Sequence, residues 1–151
     1  MRAALPELLK TYDIIHLCGK GKTDPSYNAQ GYVQYEYIKD ELPDLFALSD
    51  IVISRAGANA ICELLALRKP NLLIPLSAEA SRGDQILNAR SFEKQGFSMV
   101  LEEEELTTLK LIDAVAKLYQ NRDTYAEAMA ASSSTDAVSI IVKMLTDLAA
   151  R

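Results

Sequence analysis

Apolar residues alternate along this chain between two spacings. Short runs rich in Ile, Val and Leu read as strands at residues 13–18, 32–38, 50–54, 71–75 and 97–101. Between them lie stretches with apolar positions at helical spacing, at residues 3–9, 42–48, 60–67 and 85–95. Pro70 ends the third helical stretch and Gly96 the fourth. From residue 106 onward the pattern stays helical, with a polar break at 132–135. Residues 50–54 are apolar on both faces, as a buried parallel strand requires. Residues 19–30 and 77–84 are rich in small and polar residues and read as loops.

Strands alternating with helices of about ten residues predict βαβ units. The expected fold is a Rossmann-like α/β domain, with a parallel sheet covered by helices on both faces. Ligands in such sheets bind beyond the C-terminal ends of the strands. The loops to inspect are therefore 19–30, 37–40, 55–59 and 76–84.

Composition narrows the picture. The 151 residues suit one domain, and 49% of them are hydrophobic, enough to fill a core and to exclude a disordered tail. The net charge of −5 argues against broad nucleic-acid binding, which needs a basic footprint. No apolar run approaches the roughly 18–20 residues that span a bilayer, and the opening MRAALPELLK has no signal-peptide core. The two cysteines, Cys18 and Cys62, form no CxxC motif. That pattern favours a reducing compartment and no zinc site. No internal repeat is present.

Candidate chemistry concentrates in two of the loops. At residues 54–63 a buried strand ends at Ser54, Gly57 permits a tight turn, and a helix begins near Ala58. Free N–H groups at such a helix start attract anions. Glu63 follows one and a half turns later, where a carboxylate could accept from vicinal hydroxyls such as a ribose diol. A plain βα turn with a solvated Glu63 accounts for the same residues. In the segment Ser81-Arg-Gly-Asp-Gln85, the amide of Gln85 and that of Asn88 one turn on suit a neutral polyhydroxyl ligand. Helix capping by Asp84 is the competing explanation.

Other features read as structural. Gly21-Lys22-Thr23 resembles the end of a P-loop, but His16 stands where that motif needs glycine and Asp24 breaks a dinucleotide fingerprint. A mobile surface loop fits better. His16, the single histidine, reads as a packed strand residue and Cys62 as a small core residue. The run 102–105 reads as a solvated acidic loop and helix start. The last helix, with Asp136, Lys143, Asp147 and Arg151, is too weakly basic for a membrane-surface anchor.

The stretch Asp50-Ile-Val-Ile-Ser-Arg-Ala-Gly-Ala-Asn-Ala-Ile-Cys-Glu63 closely resembles a signature of glycosyltransferase family 28, in its branch of peptidoglycan N-acetylglucosaminyltransferases. Lys69-Pro-Asn-Leu-Leu-Ile-Pro75 and Gly83-Asp-Gln-Ile-Leu-Asn-Ala89 resemble it too, with Gly31-Tyr-Val-Gln-Tyr-Glu-Tyr-Ile38 upstream. The resemblance covers nearly the whole chain. It implies the C-terminal half of a GT-B enzyme, whose two Rossmann-type domains face a cleft. That half binds UDP-N-acetylglucosamine. The other half takes the lipid-linked acceptor and carries the base.

The resemblance further implies a single donor domain over residues 1–151, lacking its own first strand and the acceptor domain. No catalytic residue, metal or cofactor is then expected here, and the chain alone should be inactive. An exposed sheet edge would invite non-native self-association. Carried over by position, Ile38 meets uracil through its backbone. Ala58, Asn59 and Ala60 present N–H groups to the diphosphate, in a helix start that runs on through Ile61 and Cys62. Glu63 binds the ribose, and Gln85 the sugar hydroxyls with Asp84 beside it. The reaction implied is inverting transfer of N-acetylglucosamine to undecaprenyl-diphospho-muramoyl-pentapeptide (lipid I to lipid II), at the cytoplasmic face of the membrane. Two other expectations stay open: the donor domain of a glycolipid-forming enzyme of the same family, and a nucleotide-sugar-binding subunit that needs a partner chain.

Overall fold

A computed structural model describes residues 1–132 together with 142, 146 and 147. A 3-10 turn (Arg2–Ala4) runs into α1 (Leu5–Leu8), then β1 (Ile14–Leu17), β2 (Tyr32–Tyr35), α2 (Leu42–Leu48) and β3 (Val52–Ser54). There follow α3 (Ala58–Ala66), β4 (Asn71–Leu73), α4 (Ala78–Ser81), α5 (Asp84–Lys94) and β5 (Met99–Val100). A second 3-10 turn (Glu103–Glu105) leads to α6 (Thr108–Gln120) and α7 (Arg122–Ala130).

Every strand pairing among the described residues is parallel, as the βαβ reading predicts. The ladder, however, is divided. β1 pairs with β2 in one sheet, and β3, β4 and β5 pair in that order in another. The two sheets meet through side chains. Ile14 of β1 and Ile53 of β3 both pack against one core cluster that includes Ala4, Leu8, Leu72 and Leu118.

Side-chain alternation along β4 shows the two covering layers. Leu72 points into the cluster shared with the N-terminal turn, α1 and α6. Leu73, the next residue, points the other way, to Ala56, Ile61 of α3 and Ala89 of α5. Both leucines are fully buried. A third cluster joins Leu65 of α3, Phe97 and Met129 of α7. Asn71 is the polar member of β4. Its Nδ2 donates to the Lys69 carbonyl at 2.8 Å and the Phe97 carbonyl at 3.4 Å, which ties the start of β4 to the approach to β5.

Several expected boundaries move. Each strand is shorter than its apolar run. Ile51 packs on the core just before β3, and Ile74, just past β4, donates its amide to the Ser54 carbonyl at 2.8 Å while its side chain joins the core. The 77–84 loop contains the helical turn α4, separated from α5 by Arg82 and Gly83 in left-handed conformation, φ 54° and 84°. Gly83 is therefore the residue that caps α5. Asp84 lies inside the first turn, where its charge complements the helix dipole, and provides no cap. The 19–30 loop forms, and Gln34 organises it. The Gln34 Nε2 donates to the carbonyls of Asp24 (2.9 Å) and Tyr27 (3.2 Å), and its Oε1 accepts from the Asp24 amide (3.2 Å) and Arg2 (3.1 Å). The polar break at 132–135 and the weakly basic last helix fall almost wholly outside the described residues.

Candidate functional site

The β3–α3 junction forms because a buried strand must reverse quickly into a helix. Gly57 supplies the extended link, φ −68° and ψ 138°, and α3 begins at Ala58. No side chain caps this helix start, and its first intrahelical bond runs from the Ile61 amide to the Gly57 carbonyl at 3.1 Å. The amides of Ala58, Asn59 and Ala60 thus precede the helix ladder and face outward from the C-terminal end of β3. Ala58 and Asn59 are exposed. Uncapped amides at a helix start, with the helix dipole behind them, favour an anion.

Glu63 is exposed on the same helix, so its carboxylate is available to a ligand. Ile61 points the other way. Its side chain is buried against Leu73 and Ala89, so it supports the helix from below. Cys62 is exposed, contrary to its reading as a core residue, because the buried stripe of α3 runs through Ile61, Leu64 and Leu65.

Across the ends of the strands, Gln85 on the first turn of α5 accepts from the Leu76 amide at 3.1 Å through its Oε1. That bond turns the amide nitrogen of Gln85 into the group that would donate to a ligand. Asp84 beside it is exposed. Asn88, one turn on, donates to the Ala56 carbonyl at 3.1 Å and so braces the turn that precedes α3. Ile38 lies three residues past the end of β2, not within the strand as the pattern predicted. Its backbone groups stand outside the ladder, as a backbone contact to a base requires.

Two residues of this region escaped the sequence reading. Arg55 follows β3 directly, and its Nη2 lies 2.7 Å from Glu103 Oε1. The other terminal nitrogen donates to the Ile74 carbonyl at 3.2 Å. Glu103 belongs to the acidic run taken as solvated, and its second oxygen accepts from the Ser77 amide at 3.2 Å. The hydrogen bond from Arg55, then that from Ser77, hold the Glu103 carboxyl below the usual carboxylate range. Only the glutamate run signalled this in the sequence, and nothing there named its partner 48 residues away.

His16 sits apart from these loops. Its Nδ1 lies 2.8 Å from the Tyr32 hydroxyl, and burial, with the charge of Arg2, lowers its pKa. It is a packed strand residue, as the pattern indicated. Among the described residues no group of three or more His, Cys, Asp or Glu is arranged to hold a metal ion. No helix among them is long and apolar enough to cross a membrane.

The fold and these loops define a parallel α/β domain with an uncapped helix start beyond β3 and the polar side chains of Glu63, Asp84 and Gln85 on α3 and α5. Residues 1–144 match the model of the glycosyltransferase family 28 C-terminal domain. The chain belongs to that family. It is 62% identical over 149 residues to a UDP-N-acetylglucosamine--N-acetylmuramyl-(pentapeptide) pyrophosphoryl-undecaprenol N-acetylglucosamine transferase of Lachnoclostridium phytofermentans, covering 98% of this chain and 42% of the relative. A protein of the same name from Geobacillus thermodenitrificans is 59% identical over 150 residues, covering 99% and 42%. Among solved structures, MurG of Acinetobacter baumannii superposes with a TM-score of 0.72 at 21% identity, over 96% of this chain and 45% of that one. The fold is thus that of one half of a GT-B glycosyltransferase. The chain spans well under half the length of the curated relatives it matches.

Proposed function

We propose that this domain holds UDP-N-acetylglucosamine and, within the whole transferase, serves inverting transfer of N-acetylglucosamine to undecaprenyl-diphospho-muramoyl-pentapeptide, converting lipid I to lipid II. The observation that carries this reading is the uncapped start of α3 at the end of β3, with Glu63 on the same helix and Gln85 in the first turn of α5. The amides of Ala58, Asn59 and Ala60 take the diphosphate, Glu63 the ribose diol, and Gln85 with Asp84 the sugar hydroxyls. The backbone of Ile38 reads the uracil.

Chemically, the acceptor hydroxyl attacks the anomeric carbon as the bond to UDP breaks. Negative charge grows on the leaving diphosphate. Fixed amides and the dipole of α3 stabilise that charge without reorganising, which is electrostatic transition-state stabilisation. The base that takes the hydroxyl proton belongs to the acceptor domain. The whole enzyme works at the cytoplasmic face of the membrane, where the lipid acceptor lies.

The interrupted ladder supports a second part of the reading. Among the described residues β1 and β3 each have one open edge and border the same core, so a further strand of the whole protein would complete one continuous sheet there. Left open, these edges pair with a second copy of the chain. Sedimentation velocity at rising concentration should then show dimers, and a strictly monomeric chain would remove this part of the proposal.

Calorimetric titration with UDP-N-acetylglucosamine, against GDP-N-acetylglucosamine, tests the donor site. Selective binding of the uridine sugar is expected. Equal affinity for both nucleotides would overturn the role of Ile38, and binding of neither would overturn the donor site in this domain.

A further inference from the structure

We propose that Arg55 and Glu103 form a positioning clasp that fixes the diphosphate side of the donor site relative to its sugar side. The proposal rests on the donor-site reading and adds two residues that need not touch the ligand.

The geometry joins three loops with two side chains. Arg55 lies in the loop after β3, Ile74 and Ser77 in the loop after β4, and Glu103 in the turn after β5. One guanidinium nitrogen of Arg55 binds Glu103 and the other binds the Ile74 carbonyl, at 2.7 and 3.2 Å. The second oxygen of Glu103 holds the Ser77 amide at 3.2 Å. A planar fork with two directed donors suits this task, and a lysine would keep the charge but not both bonds.

The same loops carry the proposed ligand contacts. Ala56 and Gly57, next to Arg55, set where α3 begins. Leu76, next to Ser77, sets the orientation of Gln85. Asn88 holds Ala56 from the α5 side, so this turn is gripped from two directions. Ion pairs this exposed contribute little to global stability, with Arg55 and Glu103 side chains 47% and 33% accessible. The clasp therefore acts on loop placement. Placement matters because small displacements of binding groups are felt strongly in affinity.

The test has two arms on the 151-residue chain, one of which needs no ligand. Glu103→Ala should raise hydrogen exchange of the Ser77 amide by about tenfold, while the Leu101 amide, which bonds Leu73 in the ladder, keeps its rate. The same variant should weaken UDP-N-acetylglucosamine binding about fivefold with the melting temperature nearly unchanged. Arg55→Lys should give part of both effects. Glu103→Gln keeps the acceptor oxygen and should restore most of the Ser77 protection. Unchanged Ser77 exchange in Glu103→Ala would overturn the clasp. So would unchanged affinity in a chain that binds the donor. A parent chain that binds no donor would sink the donor reading alone, and the exchange arm would still decide whether the clasp orders the loops.

Discussion

The three-stranded and two-stranded parts of this domain are built from similar short parallel strands, yet they are held in different ways. β4 has a ladder partner on each side and helices on each face, and Asn71, Leu72 and Leu73 are 1%, 0% and 0% exposed. In the β1–β2 part, Leu17, Val33 and Tyr35 are 46%, 40% and 41% exposed. There, the Gln34 amide bonds Arg2 on one side and Asp24 of the 19–30 loop on the other. A two-stranded sheet is marginal alone, whereas a strand enclosed on four sides is not. The candidate site sits mainly on the loops of the enclosed part. Groups that must hold a ligand precisely are best mounted on the stiffest strands.

Core truncation should break this comparison most sharply. Leu72→Ala is expected to cost about 2–5 kcal/mol, while Leu17→Ala on β1 should cost less than about 1 kcal/mol. Denaturant melts of the two variants measure the difference. Equal costs would mean that Leu17 is as enclosed in solution as Leu72.

Function should part from stability at Glu63. Glu63→Ala removes an exposed carboxylate, so the melting temperature should hold while UDP-N-acetylglucosamine affinity falls about tenfold. Titration of parent and variant decides it, and equal affinities would withdraw Glu63 from the site.

Two glycines sharpen the contrast further. Gly31, ahead of β2, has φ +79°, and an added Cβ would lie 2.6 Å from Asp13 Oδ1. Gly31→Ala should therefore cost at least about 1–2 kcal/mol. Gly57, ahead of α3, has open space around it and an ordinary φ of −68°. Gly57→Ala should cost under about 1 kcal/mol, as a cap position without a side-chain bond allows. Thermal melts of the pair test whether the helix start needs glycine at all.

The smallest effect is pH dependence in the two-stranded part. Burial, and then the charge of Arg2, depress the pKa of His16. The folded state thus binds fewer protons than the unfolded chain across the window below about pH 6.5. Stability from this source is complete above that pH and is lost as pH falls through the depressed folded value. His16→Gln should flatten the change in denaturation midpoint between about pH 7 and pH 5. An unchanged slope would assign the pH dependence to other groups.

Local pattern revealed the order of elements and the Gly57–Ala58 helix start, because both depend on residues close in the chain. Element ends were less legible. Ile51 is as apolar as a strand residue but serves the core from outside the ladder. Residues 78–81 form a helical turn inside a stretch whose small and polar residues read as loop. Cys62 was misplaced because a small residue beside Ile61 fits either face of a short helix, and only the packing of Leu64 and Leu65 fixes which face is buried.

By itself, the sequence determined the βα alternation, the parallel class of the fold and membership of the family, since periodicity and a long motif are local properties. Tertiary structure alone decided three things. It divided the ladder between β1 and β3, sent Leu72 and Leu73 to opposite layers, and brought Arg55 to Glu103. Each depends on contacts between residues far apart in the chain. Such contacts follow from how the strands are ordered and packed in space, which no single stretch of sequence encodes.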